Sequence, residues 1–218
     1  MERSIESRRD FLRNASLAIA LPLVFGCRSD SSAQAKDDSL VAAIKKNAKQ
    51  DPADSYWGAR SAPPDVSWRT KLATADDPGD RIIISGTVYK PDGKAVAANT
   101  LIYLYHTDVH GIYGRKEKGE HRHGRYRGWM LTDQKGRYEF ESILPASYPD
   151  STIAKHIHMT LTTVDMKEEA PDLILFEGDR FLTDNDRKVD RGGFNPVLKM
   201  VKGSDGVLRG TRDIKLWV

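Results

Sequence analysis

From residue 81 to the C-terminus, short runs of alternating apolar and polar residues follow one another at near-regular spacing. "RIIISGTVY" (81–89) is rich in β-branched residues and predicts a strand, closed by the turn-forming "KPDGKAV". In "NTLIYLYHTD" (99–108), Leu101, Tyr103 and Tyr105 alternate with Ile102, Leu104 and His106, a period-2 pattern with two distinct faces. "YRGWMLTD" and "GRYEFESI" follow, joined by a Gln-Lys-Gly turn, then "KHIHMTLTTVD" and "DLILFEGD". "PVLKMVKGSDGVLRGTRDIKLWV" predicts a closing hairpin across Ser-Asp-Gly, and the charged stretch 180–195 a surface excursion. Many short strands without a long helical period predict an all-β fold, an antiparallel β-sandwich spanning residues 80–218.

The pattern upstream is different. "LVAAIKKNAKQ" (40–50) suits a short helix. "DPADSYWGARSAPPDVSW" (51–68) is rich in Pro, Gly and Ser and predicts an irregular arm. "RSDSSAQAKDDSL" (28–40) is polar and reads as a tether, so residues 27–79 form a tether plus an arm. Residues 1–26 have the layout of an export signal: "SRRDFLRN" supplies a basic region and "ASLAIALPLVFG" an apolar one too short to span a membrane. Arg8 and Arg9 followed by Phe11 and Leu12 match a twin-arginine signal. Cys27 directly follows "LVFG", as in a lipoprotein cleavage box, while "SAQA" offers a rival cleavage after Ala35. The reading favoured is lipidation at Cys27, with the protein in the periplasm or cell envelope and no other membrane attachment. With a single cysteine, the chain forms no intramolecular disulfide.

Composition narrows the partners. A net charge of +3, spread along the chain, gives no footprint for nucleic acid. Hydrophobic residues at 39% suffice for one well-packed domain, and nothing in the composition decides between monomer and oligomer.

The chemistry concentrates near "KHIH". In a strand, His156 and His158 project to the same side and are placed to share an ion. Two exposed histidines beside Lys155 would look the same, so the pair needs partners. His121 and His123 lie in a basic loop, "KGEHRHGRYRG", and read as surface or substrate-facing. Tyr103, Tyr126 and Tyr138 fall in strands and read as core. Tyr113, in "DVHGIYGR", and Tyr148, in "LPASYPD", sit instead at Gly- and Pro-rich strand ends. Two phenolates and two imidazoles suit a hard trivalent ion such as Fe(III).

With these residues together, the segment from about Ile82 to Asp179 resembles the intradiol ring-cleavage dioxygenases of the catechol and protocatechuate type. "ISGTVYKPDGKAV" looks like the family's opening strand and turn, and "YLYHTDVHGIYGR" like the strand leading to its first tyrosine ligand. "RGWMLTDQKGRYEFESILPASYP" resembles the segment ending at the second, and "KHIH" the histidine pair. The resemblance implies a non-haem Fe(III) held by Tyr113, Tyr148, His156 and His158, with Tyr148 the ligand that dissociates when substrate binds and His158 axial. It implies a catecholic substrate, O2 as co-substrate and a muconate-type diacid as product. One position departs: Ile153 stands where well-studied members carry an arginine near the substrate. Charge stabilisation of the ring then comes from elsewhere or is absent, and Arg115, His121 and Arg122, in that order, are the candidates to supply it. Two alternatives share much of the pattern: a transthyretin-like binding module, and an iron- or catechol-binding protein without ring cleavage.

Overall fold

A computed structural model describes residues 39–49, 56–114 and 121–218. The expected export signal (residues 1–26), the expected lipidation site Cys27 and Arg115 lie outside the described residues. Among the described residues eleven strands form two sheets: β1 (Arg69–Lys71), β2 (Arg81–Tyr89), β3 (Leu101–His106), β4 (Arg127–Leu131), β5 (Arg137–Ile143), β6 (His156–Thr162), β7 (Ile174–Phe176), β8 (Val197–Leu198), β9 (Val201–Lys202), β10 (Leu208–Thr211) and β11 (Ile214–Lys215). One sheet runs β1-β5-β2-β10-β9, with β11 also pairing β2; the other runs β4-β3-β6-β7-β8.

The two sheets form the expected β-sandwich, but they are mixed rather than purely antiparallel. The central pairs β2/β5, β3/β4 and β3/β6 are antiparallel. Four pairings are parallel: β1 to β5, β10 and β11 to β2, and β8 to β7. Parallel partners join through long connections, whose register a local alternation pattern does not carry. The closing hairpin forms as expected between β9 and β10. The Gln-Lys-Gly turn is not a hairpin within a sheet: it carries the chain from β4 in one sheet to β5 in the other. Asp133 holds that turn, its Oδ1 accepting the Lys135 and Arg137 amides.

The core lies between the sheets and is built from alternate residues. Ile82, Ile84 and Val88 of β2 with Tyr138 and Phe140 of β5 face Ile102, Leu104, Met130, Ile157, Met159 and Leu161 of the second sheet. The other face of β3, with Leu101, Tyr103 and Tyr105, is equally buried. The arm accounts for this. A helix over 39–44, continuing as a 3-10 turn at Lys45–Asn47, packs Val41 and Ile44 with Ala59 and Ala62 against Leu101, Leu131 and Trp129. A strand covered on both faces reads as a nearly continuous apolar run, as "LIYLY" does. The arm is thus not wholly irregular, since β1 within it pairs with β5.

Candidate metal centre

The second sheet's outer face carries the site. His156 and His158 occupy alternate positions on β6, and Tyr105 on β3 lies opposite His158. The β3–β4 connection carries Tyr113 and the β5–β6 connection carries Tyr148, and both start from the same end of the sandwich. His106 ties that end together, its Nε2 2.7 Å from Ser142 Oγ at the end of β5. The Tyr113 loop is a tight turn around Asp108, whose Oδ1 accepts the His110 and Ile112 amides. At its apex Gly111 has φ +76°, and a Cβ there would stand 1.9 Å from the Ser147 carbonyl oxygen. The contact seats the Tyr113 loop directly against the loop bearing Tyr148. Gly111→Ala is therefore expected to cost about 1–3 kcal/mol of stability and to weaken metal binding by separating the two phenols. Urea denaturation and iron titration check both.

Four polar atoms converge. Tyr113 Oη lies 2.6 Å from Tyr148 Oη. Tyr148 Oη lies 3.1 Å from His156 Nε2 and 3.3 Å from His158 Nε2, and the two Nε2 atoms are 3.1 Å apart. His156 Nδ1 donates to the Ala154 carbonyl at 2.7 Å, which leaves its Nε2 as a bare lone pair aimed into the cluster. Burial depresses the pKa of His156, and drives that of His158 down to about 3 with help from the neighbouring imidazoles. Burial raises the pKa of both Tyr113 and Tyr148, so without a cation both phenols stay protonated. Two neutral imidazoles thus turn nitrogens toward each other beside two half-buried phenols. Donor atoms about 2 Å from a shared ion lie roughly 3 Å apart, so this oxygen and nitrogen set fits one hard cation.

The surroundings were only partly legible. His123, expected at the surface or toward substrate, is buried: its Nδ1 lies 2.6 Å from Tyr103 Oη, and its ring stacks on Tyr105 at 3.6 Å. Tyr105 in turn stacks on His158 at 4.6 Å. His121 sits edge-on to His123 at 4.5 Å. The guanidinium of Arg122 is 5.9 Å from the ring of Tyr56, and its charge opposes the upward pKa shift of both Tyr113 and Tyr148. Tyr56, an arm residue to which sequence reading gave no role, has its ring 6.0 Å from that of His158. Ile153 is 52% exposed and brings no charge to the cluster. Beyond Tyr148 opens a groove of about 930 Å³ bordered by Val109, Leu144, Lys155, Asp179 and Phe181.

Residues 54–198 match the family model described as Dioxygenase. Catechol 1,2-dioxygenase of Acinetobacter baylyi is 31% identical over 88 residues, covering 40% of this chain and 28% of that protein. Catechol 1,2-dioxygenase 2 of Acinetobacter lwoffii is 24% identical over 148 residues, covering 61% and 53%. The chain thus spans about half or less of the length of these curated relatives. Among solved structures, the dioxygenase domain of a dioxygenase carbohydrate-binding protein fusion from the cellulolytic bacterium Streptomyces sp. SirexAA-E superposes with TM-score 0.56 at 22% identity, covering 72% of this chain and 92% of that one. Catechol 1,2-dioxygenase from Acinetobacter sp. ADP1 gives the same TM-score over 69% and 57%. These superpositions carry the fold. With the matched residues, they make this chain a member of the intradiol ring-cleavage dioxygenase family.

Proposed function

We propose that the protein is an exported, non-haem Fe(III) intradiol dioxygenase that opens the ring of a catecholic aromatic with O2 and yields a muconate-type diacid. The observation that carries this reading is the convergence of Tyr113, Tyr148, His156 and His158 at separations of 2.6 to 3.3 Å. These four would hold the metal. Ferric iron, when bound, supplies a Lewis acid that gathers the catechol oxygens and readies the ring for O2. The imidazoles serve as neutral ligands, since burial keeps them unprotonated. Tyr148 Oη touches the other three donor atoms, which makes it the atom best placed to receive a proton from an arriving catechol hydroxyl. Arg122 supplies positive charge on the side of Tyr56, in place of the arginine missing at Ile153. The paired arginines and Cys27 support export through a twin-arginine route and a lipid anchor in the cell envelope.

The test is iron-replete expression, followed by metal analysis, a visible spectrum and an oxygen-uptake screen across substituted catechols. Stoichiometric iron, a red to purple tyrosinate band and oxygen consumed equimolar with catechol are expected. Iron with colour but without oxygen uptake would turn the reading to catechol capture. A colourless, iron-free protein would turn it to a binding module.

A further inference from the structure

The arm is held beside the site by one side chain that takes no part in the metal cluster. Glu168 lies in the β6–β7 connection and is fully buried. Its Oε1 accepts the Gly58 and Ala59 amides, each at 3.0 Å, and the Thr160 hydroxyl at 2.8 Å. Its Oε2 accepts the Lys49 amide at 3.1 Å. All four donors therefore converge on one carboxylate. Three of them are backbone groups of the arm, and the fourth stands on β6 two residues beyond His158. A buried carboxylate bonded in this way is held firmly, whereas a loss of its oxygens leaves several buried donors unpaired.

What the clasp holds is next to the metal centre. Gly58 lies against Tyr103, where a Cβ would come within 2.3 Å of the ring, and its carbonyl accepts the Trp129 indole N–H at 2.7 Å. Tyr103 bonds His123, His123 stacks on Tyr105, and Tyr105 stacks on His158. Two residues before Gly58, Tyr56 stands at the exposed flank of His158 with Arg122 beyond it. The arm thus backs the aromatic stack behind one histidine of the cluster and places a phenol in front of it.

We propose that Glu168 is a positioning residue: its carboxylate clasps the arm onto the outer face of the sheet and so fixes the wall, Tyr56 included, against which a catechol ring is bound. The substrate part of this inference rests on the function proposed above; the clasp itself does not. Ring binding depends on the wall, while ring opening depends on the metal ligands, so the two separate kinetically.

Two variants test it. Glu168→Ala removes all four acceptor contacts. Glu168→Gln keeps an acceptor toward Gly58, Ala59 and Thr160 but turns a donor toward the Lys49 amide, a milder change that covers the case in which the alanine variant does not fold. In the iron-loaded protein, Glu168→Ala is expected to raise KM for catechol by about tenfold or more with kcat within about threefold, and Glu168→Gln to fall between it and the wild type. Iron content and the visible band should stay as in the wild type. Adding Tyr56→Ala to Glu168→Ala should raise KM little further, because both act through one wall. Hydrogen exchange at the Gly58 and Ala59 amides, measured without iron, should accelerate at least about tenfold in the alanine variant. An unchanged KM in every folded variant overturns the positioning role, and unchanged exchange overturns the clasp. Should iron-loaded wild type consume no oxygen with any catechol, the proposed function has failed instead. The clasp is then decided by amide exchange alone.

Discussion

His158→Ala is expected to lower catechol-dependent oxygen uptake by at least about a thousandfold, the scale of removing a ligand that helps set several kcal/mol of metal-derived stabilisation. The loss should come with loss of iron. His158 supplies one of two imidazole nitrogens 3.1 Å apart, and its Nε2 also lies 3.3 Å from Tyr148 Oη. Without it three donors of the cluster remain. Tyr148→Phe is expected to act as strongly by another path. It keeps the ring that borders the groove and removes the one oxygen within reach of all three other donor atoms. The fold should survive both changes, because the cluster lies on the outer face and the inter-sheet core contains neither residue. Far-UV circular dichroism of the iron-free variants checks this. A His158→Ala protein that keeps both its iron and its oxygen uptake would show that the metal is held elsewhere.

Much of this site was readable before the fold was known, for a physical reason. Strand periodicity puts His156 and His158 on one side whatever surrounds them, and Gly- and Pro-rich strand ends mark where loops present side chains. Those local rules make four residues from three segments candidates, the family resemblance makes them a ligand set, and the structure brings the four together. What local rules miss is what covers the face. No sequence pattern singles out Glu168, in "MKEEAP", yet it is fully buried and the arm brings backbone amides to it. His123 reads as a loop residue among basic neighbours, yet Tyr103 and Tyr105 enclose it. Tyr56 lies in a stretch with no periodicity, so only the tertiary contact gives it a place. The parallel pairings were hidden in the same way, since they join segments far apart along the chain.

Acid should expose a second buried histidine that takes no part in the cluster. His106 ends β3 with 1% exposure; Nδ1 donates to the Thr107 carbonyl at 2.7 Å, which leaves Nε2 to accept from Ser142 Oγ at 2.7 Å. Burial lowers its pKa from 6.5 to about 4, against smaller opposing effects of the Thr107 carbonyl and Asp108. The folded protein therefore prefers the neutral ring, and the unfolded chain takes up the proton first. Stability from this residue is complete above pH 6.5 and falls as pH drops toward 4, by about 3 kcal/mol in all. Protonation need not break the contact with Ser142, whose hydroxyl can turn to accept, so the cost is the buried charge itself. His156 and His158 shift in the same direction, but the wild type and a His106→Asn variant both carry them, so their contribution cancels in the difference between the two pH slopes. His106→Asn cannot titrate. Its urea-unfolding free energy between pH 6.5 and 5, above the range where the carboxylates begin to protonate, should fall less steeply than that of the wild type by up to about 1.4 kcal/mol per pH unit. Equal slopes in the two proteins would mean that His106 is not held neutral by burial.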